Sequence, residues 1–265
     1  MRAFVEGVGL CGPGLNGWPA SRPLLCGAAA YHAAPTAIAA SDLLPATERR
    51  RVGVPVKLAL AVGQEAFTNA GRDVVATATV FTSSGGDCDN VHQLCETLAS
   101  PEREVSPTRF HNSVHNVAAG YWSIATRSRA ASTSLCCYDT SFAAGLLETA
   151  IQAGVDGRAV ALIAYDHPYP APLDAVRPVC ASFGMALVLV PRLTARSFAV
   201  LDVEFMAQAG EPTRMPGAGL EAVRTGVPAG RALPLLAALA RGSSEILALD
   251  CARNAHLRVT VAPCS

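Results

Sequence analysis

Two adjacent cysteines, Cys136 and Cys137, fall where the β-branched run "ASTSLCC" gives way to the helical pattern "TSFAAGLLETAIQAG". A side chain at a strand-to-helix turn sits among free backbone N–H groups. Those groups and the helix dipole lower a thiol's pKa and stabilise an oxyanion. The position therefore suits a nucleophile. The competing reading is that cysteine is a small buried hydrophobe, and the chain uses nine of them. The segment alone leaves both readings open.

A nucleophile needs a proton acceptor, and the histidines are the natural candidates. His111 and His115 are spaced i, i+4 in "HNSVHNVAAGYWSIATRS" (111–128), which reads as one helix, and Asn112 and Asn116 repeat the spacing. Two imidazoles on one helical face can hold a metal, but no carboxylate motif accompanies them, and no metal is expected. Gly7, Gly9 and Gly12 satisfy G-x-G-x-x-G after a first strand. No helix opens at once and no acid follows about 20 residues later, so they read as a turn and not as a dinucleotide site. "SSGGD" (83–87) lacks the lysine of a phosphate loop and reads as a tight βα turn. No cofactor is expected.

These residues need a scaffold. Alternating or β-rich runs predict strands at "RAFVEGVG", "DVVATATVF" (73–81), "ASTSLCC", "AVALIAYD" (159–166), "GMALVLV", "SFAVLDVEF", "EILALDC" and "LRVTVAP". Pro55 opens a helix to about Gly71, Asp87 or Asp89 caps another, and Gly154 closes the helix after the cysteines. "ALPLLAALARG" is a short helix. Residues 27–46 and 209–230 read as Gly/Pro/Ala-rich loops. "GMALVLV" and "SFAVLDVEF" are close enough to pair as a hairpin. The alternation predicts a layered α/β fold with a mostly parallel central sheet plus an antiparallel strand pair.

Of the 265 residues, 51% are hydrophobic and 16% charged, a globular balance with low charge density. Net charge is zero, so neither nucleic acid nor an anionic membrane surface is an expected partner. A neutral, apolar surface suggests cover by another subunit. Lys57 is the one lysine among the basic residues. The cysteines form no CxxC pair, the N-terminus does not read as a signal peptide, and no run of about 18 apolar residues predicts a membrane span. A reducing cytoplasm is the expected compartment.

"HNSVHN-x-x-AGYWSIAT" (His111 to Thr126) and "SFAAGLLE" (Ser141 to Glu148) carry a resemblance. With "FTSSGGD" and "ASFGMALVLVP" they make the chain similar to the short β-ketoacyl-synthase-like proteins found with aryl polyene biosynthesis. The resemblance covers most of the chain, read as a single domain over 1–265. It implies a thiolase-like fold, roughly one half of a ketosynthase. Counted back from Gly154, Cys137 falls where a ketosynthase carries its nucleophile; a small gap would move the match to Cys136. Proteins of the short family usually lack this cysteine and look like chain-length factors. A ketosynthase also uses two histidines from its C-terminal half, and neither His167 nor His256 sits in such a motif.

The resemblance implies a heterodimer with a full-length ketosynthase working on acyl carrier protein. The interface would fall within about 114–137, with Ala118, Ala119 and Gly120 allowing close approach and Tyr121 and Trp122 as anchors. Tyr138, Asp139 and Thr140 complete the elbow. The first expectation is a non-catalytic, chain-length-factor-like subunit. The alternative is a cysteine-dependent acyltransferase or condensing enzyme using Cys137.

Overall fold

The computed structural model describes residues 1–39 and 42–264. The chain opens with β1 (Arg2–Gly12), β2 (Leu15–Asn16) and α1 (Trp18–Leu25). Next come α2 (Ala46–Arg49), α3 (Val54–Ala70), β3 (Ala78–Thr82), α4 (Cys88–Ala99), α5 (Pro107–His111) and α6 (Val117–Thr126). β4 (Ser132–Leu135), α7 (Ser141–Asp156), β5 (Val160–Asp166), β6 (Phe183–Val190) and β7 (Ala199–Met206) follow. The chain finishes with α8 (Ala218–Gly226), α9 (Leu233–Arg241), β8 (Glu245–Ala252) and β9 (Ala255–Pro263).

One sheet runs in the order β4-β3-β5-β6-β1-β7-β9-β8, with β2 paired to β1. The expected layered α/β class and its mixture of strand directions hold. The parallel part is β4-β3-β5, which ends in the cysteine turn. The antiparallel part is wider than a single strand pair and takes in β6, β1, β7, β9 and β8. Strand alternation divides the core. Ala161, Ile163 and Tyr165 of β5 face α3 and α6, whereas Val160, Leu162 and Ala164 face the layer of α7 and α9. A helical layer thus covers each face of the central strands.

Gly7 and Gly9 lie inside β1, not in a turn. A Cβ on Gly9 would lie 1.9 Å from the Val62 carbonyl oxygen, and one on Gly7 would lie 2.1 Å from that of Ala66. The missing side chains let α3 settle onto the strand.

Several other local expectations change. β6 and β7 do not pair with each other, because β1 lies between them and bonds to both. The strand expected over 73–81 is confined to β3, since residues 74–76 form a turn. α7 runs one turn further than expected and ends on left-handed Gly157 (φ 65°) instead of Gly154. The loop expected over 209–230 contains α8. α1 was hidden in the sequence by Pro19 and by Pro23, which lies inside it. The 111–128 segment is two helices, α5 and α6, joined by a turn, so His111 and His115 do not share a helical face.

Candidate functional site at the strand-to-helix elbow

β4 pairs with β3 through Leu135, leaves regular structure at Cys136 and Cys137, and enters a 3-10 turn over Tyr138–Thr140 before α7. Backbone and hydroxyl groups hold the turn. The Cys137 N–H donates to Ser141 Oγ at 3.0 Å, and that hydroxyl donates to the Tyr138 carbonyl at 2.7 Å. The Cys137 carbonyl accepts from the Thr140 N–H at 3.0 Å and the Thr140 hydroxyl at 2.8 Å. Both cysteines are exposed. The Cys136 thiol donates to the Ser84 carbonyl at 3.3 Å.

The residue forced into left-handed backbone is Tyr138, with φ 54°. A bulky residue rarely takes this conformation, and a strand-to-helix elbow uses such a strained position to push one side chain outward. Tyr138 is 61% exposed. The Arg177 guanidinium lies 3.4 Å from its ring centroid. Arg177 also donates to Asp139 Oδ1 at 2.8 Å and to the Tyr169 hydroxyl at 3.3 Å. Arg231 reaches Asp139 and Asp250, each at 3.4 Å. Tyr138, Asp139, Arg177 and Arg231 border a polar cleft of about 200 Å³, where Thr225 and Gly226 form part of the wall. Two arginines and two carboxylates thus balance charge beside the elbow.

Behind the elbow lies Asp166, fully buried at the end of β5. It accepts from the Ser83 hydroxyl at 3.2 Å and from the Ser84 N–H and hydroxyl at 2.8 and 2.7 Å. It also accepts from the Ala229 N–H at 2.8 Å. Burial pushes its carboxyl up to about 6, against the lowering effect of those bonds. The "SSGGD" turn is therefore a staple that ties the start of α4 to the 228–232 segment. Asp87 caps α4 by accepting from the Asn90 N–H at 3.1 Å.

No histidine is hydrogen-bonded to either elbow thiol among the described residues. His115 Nε2 donates to the Ser83 carbonyl at 3.1 Å, His167 Nδ1 meets Ser182 Oγ at 2.7 Å, and His256 Nδ1 meets the Gln208 carbonyl at 2.9 Å. His111 packs edge-on against Tyr121. Among the described residues, no three His, Cys, Asp or Glu side chains gather closely enough to hold a metal ion.

Of the five residues assigned to an interface, four are covered within the chain. Ala118 and Ala119 are buried, and Tyr121 donates to Asn112 Oδ1 at 3.1 Å. Trp122 packs against Phe67 and Phe81, with ring centroids 5.5 and 6.3 Å away. Gly120 alone of the five is exposed. The same region presents Val114, Ile124 and Phe110 to solvent, and β4 stands at the end of the sheet with one edge unpaired among the described residues. Arg177, Tyr169 and Arg231 were not foreseen. They come from distant loops, and no spacing in the sequence marks them as elbow residues.

A family model described as "Beta-ketoacyl synthase, N-terminal domain" matches residues 25–245. No curated protein matches the chain. Among solved structures, the chain is similar to one in the complex of a ketosynthase (ApeO) with its chain length factor (ApeC) from Xenorhabdus doucetiae. That match has a TM-score of 0.72 and 21% identity and covers 98% of this chain and 99% of that one. It is also similar to a chain of the ishigamide ketosynthase/chain length factor, with a TM-score of 0.72, 15% identity and 100% of each chain covered. A β-ketoacyl synthase from Burkholderia phymatum gives a TM-score of 0.62 at 13% identity, covering 91% of this chain and 70% of that one. These likenesses establish a thiolase-like ketosynthase fold over the chain.

Proposed function

The chain belongs to the β-ketoacyl synthase N-terminal-domain family, and we propose that within it the protein is a non-catalytic, chain-length-factor-like subunit. It pairs with a full-length ketosynthase that extends acyl chains on acyl carrier protein, in aryl polyene or related polyketide assembly. The pairing completes the dimer and bounds the tunnel that holds the growing chain. We place this work in the cytoplasm and read residues 1–265 as one unit.

The observation that carries the reading is the elbow. Its strained, outward-pointing residue is a tyrosine covered by an arginine, where a condensing enzyme needs a thiolate open to an acyl thioester. Among the described residues, neither the Cys136 nor the Cys137 thiol is hydrogen-bonded to a histidine that would manage protons. Two of the similar solved structures are described as pairs of a ketosynthase with its chain length factor, which favours the same role here.

The pairing surface we favour is the free edge of β4 with the apolar side chains around it, Val114, Ile124 and exposed Gly120. An unpaired edge strand offers main-chain hydrogen bonds to a partner strand. Tyr121 and Trp122 then support this surface from behind. Co-expression with a full-length ketosynthase tests the proposal. A stable one-to-one complex is expected, and two proteins that elute separately at micromolar concentration contradict it.

Cys137 keeps a second reading alive, since its thiol is exposed at the elbow. As an acyltransferase, the protein alone would take up an acyl group on Cys137.

A further inference from the structure

Away from the elbow, two cavities lie against α3. A cavity of about 580 Å³ lies against Leu10, Cys11, Ala61 and Val62. A second, of about 360 Å³, lies against Leu44, Val52 and Leu60. Both are bordered by Ile38 and Ala39, so one short strap crosses between them. Lys57 lines one cavity and Thr68 the other, eleven residues further along α3, which at 1.5 Å per residue spans roughly 16 Å.

The strap is held in place upstream of the crossing. The Gly14 N–H donates to the Ala34 carbonyl at 3.0 Å, Thr36 Oγ1 donates to the Ser182 carbonyl at 2.6 Å, and the Cys11 thiol donates to the Ala37 carbonyl at 3.4 Å. The strap that borders both cavities is therefore built into the fold.

The two ends of the cavity pair differ in charge. At one end stand Lys57, in the first turn of α3, and Arg49, the last residue of α2. The Lys57 ammonium has no hydrogen-bond or ion-pair partner among the described residues. Arg49 is paired with Asp42, whose side chain is almost wholly exposed. At the other end, burial pushes the Cys11 thiol up to about 11, so it is neutral. Glu65 there already accepts from the Leu10 N–H at 2.8 Å and from the Trp18 N–H. Two adjoining apolar cavities with an unpaired cation at one mouth match an amphiphile with an anionic head.

We propose that these cavities together bind a long-chain carboxylate, with its head at Lys57 and Arg49 and its tail running under Ile38 to Leu10 and Cys11. The carboxylate takes up the free ammonium and competes with Asp42 for Arg49. Leu60, Ala61 and Val62 line the path of the tail. The site lies on the α3 face of the sheet and does not depend on pairing through β4.

Calorimetric titration of the full chain with dodecanoate tests this, with dodecyltrimethylammonium as the control of equal tail and opposite charge. One dodecanoate binds per chain, and the cationic control binds at least tenfold more weakly. Lys57→Gln weakens dodecanoate binding about tenfold, and Asp42→Asn strengthens it. Ala61→Trp, whose indole fills the larger cavity, removes it. Lys57 is exposed, so its variant keeps the fold if circular dichroism is unchanged, and that arm stands even if the tryptophan variant misfolds. No saturable binding below the micelle concentration overturns the proposal. So does binding that is equal in wild type and Lys57→Gln, or that persists in folded Ala61→Trp.

Discussion

The guanidinium of Arg177 stands 3.4 Å from the ring centre of Tyr138, the one elbow residue in left-handed backbone. Arg177 is fixed in turn by Asp139 and by the Tyr169 hydroxyl. The elbow is thus braced from a loop 38 residues further along the chain. An arginine over an aromatic face is worth about 0.5–2 kcal/mol, with the larger values where water is excluded. Arg177→Ala is expected to lower the urea midpoint by an amount equivalent to ~1–2 kcal/mol. Arg177→Lys, which keeps charge but loses the planar fork, is expected to recover less than half of that. Full recovery by lysine would mean that charge alone matters.

Gly9 decides how α3 meets the sheet. Its Cβ would lie 1.9 Å from the Val62 carbonyl oxygen, a backbone atom that cannot swing away. Gly9→Ala is expected to cost ~3 kcal/mol or to prevent folding, at the upper end of overpacking effects. Gly157→Ala meets no atom within 4 Å and strains only a positive φ, so ~1 kcal/mol is expected. Chemical denaturation of both variants checks the ranking.

Asp166 makes stability depend on acid in an unusual direction. Its folded-state value of about 6 lies above the ordinary 3.8, so the folded protein binds more protons than the unfolded chain between those values. Its contribution therefore favours the fold at low pH and is lost as pH rises toward 6, by up to ~1.4 kcal/mol per pH unit. Glu6, Asp202, Glu221 and Glu245 are shifted downward and pull the opposite way. The difference between wild type and Asp166→Asn isolates the one group. The variant also leaves one N–H without an acceptor, either at Ser84 or at Ala229, and is expected to lose ~1–3 kcal/mol at neutral pH. Urea melts at pH 4.5, 5.5 and 7 measure both effects.

The free edge of β4 makes a separate prediction. Ala131 and Leu135 turn their carbonyls toward β3, accepting from Thr79 and Ser83. Alternation then directs the Ser134 N–H away from β3, toward any partner strand. Ser134→Pro removes that donor while sparing the β3 ladder. Weaker association with the ketosynthase, by tenfold or more, is expected with little change in the melting of the isolated chain. Unchanged association would place the partner elsewhere.

Much of this scaffold was legible in the sequence, for stated physical reasons. α3 and β5 declare themselves by Pro55 at the helix start and by an unbroken apolar run. The elbow itself was readable as a strand turning into a helix. What the sequence did not carry was conformation and long-range order. Nothing in "CCYDTS" says that Tyr138, and not Cys137, takes the positive φ. The hairpin expected of β6 and β7 failed because β1, from the start of the chain, inserts between them. Tyr121 and Trp122 looked like interface anchors because aromatic content is the same signal for a core and for an interface. Phe67 and Phe81 cover Trp122 within the chain, and no local pattern reports them.

Product formation by the reconstituted pair tests the non-catalytic role most directly. The ketosynthase, its loaded acyl carrier protein and either the wild-type chain or the Cys136→Ala/Cys137→Ala double variant are combined, and chain-extended product is measured by mass spectrometry. Equal yield and equal chain length are expected from both complexes. A loss of tenfold or more from the variant, with the complex still assembled, would contradict that role and make an elbow thiol part of the chemistry.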